Sequence, residues 1–279
     1  MTATREPRDR YIKVNGLRLH FLDWGGRRPE AVMFLHGGTG NAHDWDGLAE
    51  ELSSGYRVYS LDQRGHGDSD WSREGYWPWQ LASDLHEIIQ KLELAPLNLI
   101  GQSMGCWTAM AYAGDHSRDL KRLILTDFGP EVGKAEGRSI RALISDRPRA
   151  FRTEEEAVAW LQQIYPTRPK SLLERRVKYG MRKNWVDRLV WKHDQEFTWI
   201  TGGAGLKATP YLWDQLAKVR CPTLVVRGAK SNILPPETRD RMLAALPNAT
   251  GAEVKNAWHF LYDENPAEFS GVVRGFLSS

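Results

Sequence analysis

The apolar and polar positions change period several times along the chain, and each change marks an element. Tyr11 to Val14 and Leu17 to Trp24 are strand-like runs on either side of Asn15-Gly16, a dipeptide that tolerates positive φ at both turn positions. They predict a β-hairpin. Ala31 to Leu35, "AVMFL", is a short run without a polar position, and it predicts a buried strand. Further strand-like runs follow at Tyr56 to Asp62, Leu97 to Gly101, Arg122 to Asp127 and Thr223 to Gly228. Between the first two of these, Leu81, Leu85, Ile88, Ile89 and Leu92 recur at helical spacing on one face. Strands alternating with helices predict an α/β class chain, with a mostly parallel sheet covered by helices on both faces.

The alternation stops between Gly129 and about Trp213, where the chain turns helical, charged and rich in tryptophan. Thr153-Glu154-Glu155-Glu156 resembles a capping box opening a helix through Ala157, Trp160, Leu161 and Ile164. We expect no strands in this stretch and read it as an inserted helical cap. The core pattern resumes at Cys221 and finishes with a strand near Ala252 to Asn256 and a helix around Phe269 to Phe276. The division is therefore 1–130 and 214–279 as core and 131–213 as cap, with Gly202-Gly203 and Gly205 as a candidate hinge.

The 279 residues are 41% hydrophobic, enough for a substantial core. The 38 basic residues nearly balance the 35 acidic ones, and no basic run with interleaved aromatics suggests a nucleic-acid site. The first ten residues lack an apolar segment, and nowhere do about 18 apolar residues run together. The expectation is a soluble cytoplasmic protein with no membrane partner, acting on a small molecule. Cys106 and Cys221 lie in apolar stretches without metal-ligand spacing and read as buried free thiols.

The chemistry centres on "LIGQSMGCW", where an apolar strand breaks at Gly101-Gln102-Ser103-Met104-Gly105 and continues as a helix. A serine hydroxyl is a weak nucleophile and must be held out toward a base and a substrate. A sharp strand-to-helix turn does so, and its crowding is tolerated only by small residues two positions either side. "FLHGGTGN" (Phe34 to Asn41) supplies a glycine-rich loop after a core strand, and "LDQRGHGDSD" (Leu61 to Asp70) a tight polar loop in which His66 reads as structural.

With these three stretches on the page, the chain resembles the α/β-hydrolase fold family, in its serine-nucleophile branch with a helical cap. The resemblance runs from the first hairpin to the last helix and implies an eight-stranded sheet. It implies Ser103 as nucleophile, the backbone N–H groups of Gly38 and Met104 as oxyanion donors, and His259 as general base, since the family order is serine, acid, histidine. His36 and Gly37 belong to the oxyanion loop and Gln102 adjoins the nucleophile, so all three are candidates to line the substrate site. His20, His43, His86, His116 and His193 fit surface or packing roles.

The acid departs from the family pattern. In similar proteins it follows the strand that here reads "TLVVRG", and the matching position in "AKSNILPP" is Asn232. An amide can orient an imidazole but carries no charge to stabilise it when protonated. Some members of the fold carry the acid one strand earlier, where "LTDFGP" offers Asp127. Both Asp127 and Asn232 remain candidates at this point.

The resemblance implies hydrolysis of an ester, thioester or lactone through an acyl-enzyme. Neighbouring readings are a carbon-carbon bond hydrolase, a cofactor-free dioxygenase acting on a heteroaromatic compound, and a receptor-like binding protein with weak turnover. Trp160, Trp185, Trp191 and Trp199 of the cap, with Trp258 beside the base, suggest a hydrophobic or aromatic substrate. No metal-ligand cluster or dinucleotide fingerprint stands in the sequence, so no cofactor is expected, and a homodimer is possible.

Overall fold

The computed structural model describes residues 6–26, 28–133, 146–195 and 203–279. Strand β1 (Arg8–Val14) pairs antiparallel with β2 (Leu17–Gly25), and the turn between them holds Asn15 at φ 47° and Gly16 at φ 78°. Those left-handed values are what a two-residue hairpin of matching twist demands. In chain order there follow β3 (Ala31–Leu35), β4 (Arg57–Leu61), β5 (Leu97–Gln102) and β6 (Leu120–Thr126). Three short strands come next, β7 (Ala150–Phe151), β8 (Met181–Lys183) and β9 (Leu189–Trp191), and then β10 (Thr223–Gly228) and β11 (Ala249–Val254).

The main sheet has eight strands in the order β1-β2-β4-β3-β5-β6-β10-β11, parallel from β4 through β11. Alternation along β3 explains its unbroken apolar run. Met33 and Leu35 enter one buried cluster with Leu85 and Ile88 of α2 (Pro78–Lys91) and Met110 and Tyr112 of α3 (Met104–His116). Val32 and Phe34 enter another on the opposite face, with Leu48 of α1 (Asp46–Leu52) and Phe269 and Val273 of the C-terminal helix (Pro266–Ser278). A strand covered on both faces has no water-facing position to fill with a polar residue.

Between β6 and β10 lie α4 (Glu154–Ile164), α5 (Lys170–Gly180) and α6 (Gly203–Lys218). Thr153 caps α4 by accepting a hydrogen bond from Glu156 N at 3.2 Å, as the sequence predicts. Helices α4 and α5 share a separate buried cluster with Phe151, Leu189 and Trp191. The expectation of no strands here is corrected: β7, β9 and β8 form a three-stranded antiparallel sheet. Strands of two and three residues are too short for alternation to show. Helix α6 buries Ala208, Leu212 and Leu216 in the same cluster as α2 and α3, so the sheet's helical layer resumes within this helix rather than after Trp213. Trp199 and Gly202 lie outside the described residues.

Cys106 and Cys221 are buried free thiols. Among the described residues, no helix is long and apolar enough to cross a membrane.

Candidate active site

In parallel sheets of this kind, functional groups gather outside the carboxyl ends of the strands. Four such ends converge here. Between β5 and α3 a single residue, Ser103, makes the whole turn, with φ 52° and ψ −119°. Its flanking glycines have a direct steric reason. A Cβ on Gly101 would lie 2.4 Å from Gly105 O, and one on Gly105 would lie 2.3 Å from Leu35 O. Both contacts are with backbone, which cannot step aside. Met104 opens α3, so its N–H has no acceptor within the helix and is free for another one.

The loop after β3 rests on this elbow. A Cβ on Gly37 would come 2.2 Å from Gln102 Oε1 and 3.0 Å from the Ser103 Cβ, so a glycine lets the loop settle closely on the elbow. His36 is fully buried; its Nδ1 donates to Gly37 O at 2.7 Å and its Nε2 accepts from Gln63 N at 3.0 Å. Those bonds make the ring a brace for the loop. His66 is buried beneath it and burial, then the neighbouring His36, hold its pKa down to about 3.

His259 follows β11, and its Nδ1 donates to Asp127 Oδ2 at 2.8 Å. Asp127 follows β6, has no solvent exposure, and also accepts from Ser231 Oγ at 2.6 Å and Gly228 N at 3.0 Å. Three donors on two carboxylate oxygens hold both the acid and the ring rigidly. Gly228 allows the approach, because a Cβ there would lie 2.0 Å from Trp258 O. Asn232 is exposed, and no bond between it and His259 is present among the described residues. Of the two candidates for the acid, the geometry brings Asp127 to the imidazole.

With Nδ1 carrying the proton, His259 Nε2 is left as an acceptor, the state a general base requires. Gln102 Nε2 donates to it at 3.1 Å and to His259 O at 3.3 Å. Gln102 is thus in contact with the His259 ring while its Oε1 is buried with no partner among the described residues.

The tryptophans divide. Trp160 packs edge-on against Trp191 inside the inserted segment, and Trp185, 94% exposed, stands at the tip of the turn between β8 and β9. Neither is brought to the elbow. Trp258 adjoins His259 and is about half exposed. The rings nearest His259 are instead Phe128 and Phe260, with centroids 6.2 and 5.1 Å away. These and Ser231 were missed, although Phe128 and Phe260 are the immediate sequence neighbours of Asp127 and His259. Among the described residues, two groups could offer three ligands to a metal ion, His86/His116/Asp119 and His20/Asp62/Asp68. Neither includes Ser103, Asp127 or His259.

The chain is 29% identical to the 3-hydroxybutyrate-oligomer hydrolase of Cupriavidus necator, over 91% of this chain and 90% of that one. It is 28% identical to an esterase of Mycobacterium tuberculosis, over 96% and 89%. The crystal structure of E-2-(acetamidomethylene)succinate hydrolase superposes with a TM-score of 0.89 at 22% identity, covering 98% of this chain and 100% of the other. The sequence pattern of the alpha/beta hydrolase family matches residues 32–272, and the chain belongs to that family.

Proposed function

We propose that the chain is a serine hydrolase that cleaves a carboxylic ester, thioester or lactone through an acyl-enzyme on Ser103. The observation that carries this reading is the bond of 2.8 Å between His259 and the fully buried Asp127, opposite a serine held alone on a strand-to-helix turn. His259 Nε2 takes the Ser103 proton as Oγ attacks the carbonyl carbon, and Asp127 holds the ring in the required tautomer and stabilises the imidazolium. The N–H groups of Gly38 and Met104 receive the oxyanion. His259 then protonates the leaving group, and a water activated by the same nitrogen releases the acid. Gln102 yields Nε2 before the first proton transfer, since one lone pair cannot serve two donors.

The inserted segment from β7 through β9 serves as a cap over this site. Tyr179 of α5 stacks on His43 with ring centroids 3.5 Å apart, and Arg176 of α5 reaches Thr39 Oγ1 at 3.2 Å, which supports a lid seated on the glycine-rich loop. The relatives' names, an oligoester hydrolase and an esterase, favour ester substrates of small-molecule size.

The test is intact-mass analysis after exposure to a fluorophosphonate. One adduct in the parent and none in Ser103→Ala is expected, together with hydrolysis of a p-nitrophenyl ester that Ser103→Ala abolishes. A cofactor-free dioxygenase would use the His259–Asp127 pair as its base without Ser103, so activity surviving Ser103→Ala would overturn the hydrolase reading.

A further inference from the structure

Two arginines of the inserted segment lie within electrostatic reach of each other, and among the described residues neither has a carboxylate partner within 4 Å. Arg147 Nη1 donates to His193 Nε2 at 2.9 Å, and its guanidinium lies 5.0 Å from the Trp191 ring centroid. Its Nε is buried with no partner among the described residues. Among the described residues Arg176 hydrogen-bonds to Thr39 alone, donating to Oγ1 at 3.2 Å and O at 3.5 Å. Among the described residues no carboxylate lies within 4 Å of either, whereas their neighbours Arg168 and Arg175 both pair with Asp263.

The electrostatics agree with an unmet charge. Burial, and then repulsion from Arg176, bring the Arg147 pKa down to about 10, which still leaves it charged at neutral pH. The same two cations hold buried His193 well below its ordinary value, after burial itself, so it adds no charge. Arg176 behaves differently: burial works against its charge, but Tyr165, Asp44, Tyr262 and Asp263 at longer range outweigh it and hold its pKa above the ordinary value. Arg147 is therefore the cation held in a desolvated place with no carboxylate within 4 Å among the described residues, a costly arrangement unless an anion completes it.

We propose that Arg147 and Arg176 form an anion subsite for the free carboxylate of a substrate whose acyl group ends in one. This rests on the hydrolase reading of the same site and names its substrate class. Position supports it: Arg176 bonds Thr39, two residues past Gly37, where an added Cβ would come within 3.0 Å of the Ser103 Cβ, and two residues span at most about 7 Å. A carboxylate held there sits a few carbon atoms from a carbonyl on Ser103, the dimension of a half-ester of a short dicarboxylic acid. A planar guanidinium pair matches a carboxylate in geometry as well as charge.

The experiment compares kcat/KM for mono-p-nitrophenyl glutarate and its neutral methyl ester in the parent, Arg147→Met and Arg176→Met. The two variants lie on different segments, so a folding failure in one leaves the other informative. Expected is a preference of at least tenfold for the charged ester in the parent, falling below threefold in each variant. Turnover of both esters at similar rates, or a preference that survives both substitutions, overturns the subsite and leaves the hydrolase reading intact. A second arm titrates glutarate and glutaramide calorimetrically into Ser103→Ala, with and without each arginine. Tighter glutarate binding that needs the arginines upholds the subsite even if no ester is turned over, and equal binding of the two overturns it.

Discussion

Replacing Asp127 by asparagine removes one charge and almost no volume, so it isolates what the carboxylate does. Asp127 accepts from Gly228 N, Ser231 Oγ and His259 Nδ1, all in a place without solvent. Asparagine has one acceptor oxygen, and Gly228 N cannot move because it belongs to β10. The amide nitrogen then faces His259, and the ring avoids a donor-donor clash by shifting its proton from Nδ1 to Nε2. That tautomer has no lone pair for the Ser103 proton. The equivalent change in a serine-protease triad lowers kcat about 10⁴-fold, or roughly 5 kcal/mol of barrier. We expect a fall of 10³ to 10⁴, on the order of that example, in the second-order rate of fluorophosphonate labelling at Ser103. Asn232→Asp, at an exposed position without contact to the ring, should change the rate by less than about threefold, since it makes no new bond to His259. Labelling of Asp127→Asn within tenfold of the parent would refute the reasoning, as would a large gain in Asn232→Asp.

Gly105→Ala should cost at least about 2 kcal/mol of stability, because its Cβ would meet the Leu35 backbone at 2.3 Å; a melting temperature within 2 °C of the parent would contradict this. Gln102→Ala frees His259 Nε2 from a hydrogen bond worth about 1 kcal/mol, so labelling of Ser103 should accelerate roughly fivefold. A tenfold fall instead would mean that Gln102 holds the ring in place. Buried His66 and His193 have folded pKa values below the unfolded 6.5, so their contribution is intact above that pH and is lost as pH falls toward 3. His20 acts oppositely: burial lowers its pKa, but the bond to Asp62 outweighs that, and its contribution is present below 6.5 and lost above. Burial and then His86 lower His116 as well, so it is three against one, and unfolding free energy should drop between pH 7 and pH 4.5, by at most about 1.4 kcal/mol per pH unit for each histidine; a flat profile would refute this.

What the sequence by itself determined was whatever depends on neighbours along the chain. The Asn15-Gly16 turn, the apolar β3 and the glycines around Ser103 are local constraints of backbone dihedral and steric room, and each can be read from a few residues. The position of His259 after the last strand followed from the order of residues in the family the chain resembles. The acid did not, because Asp127 and Asn232 both follow sheet strands and both could face the imidazole as far as any local pattern goes. Folding decided it by bringing β6 and β10 side by side, so that Ser231 and Gly228 clamp Asp127 under a histidine 132 residues away. The same holds for the tryptophans, whose composition suggested a pocket while packing sent Trp160 inward against Trp191 and Trp185 out into solvent. It holds too for Arg147 and Arg176, which look like ordinary charged residues in a charged stretch. Only the fold sets their two charges together beside the glycine-rich loop, because electrostatic energy depends on distance in space and the sequence records distance only along the chain.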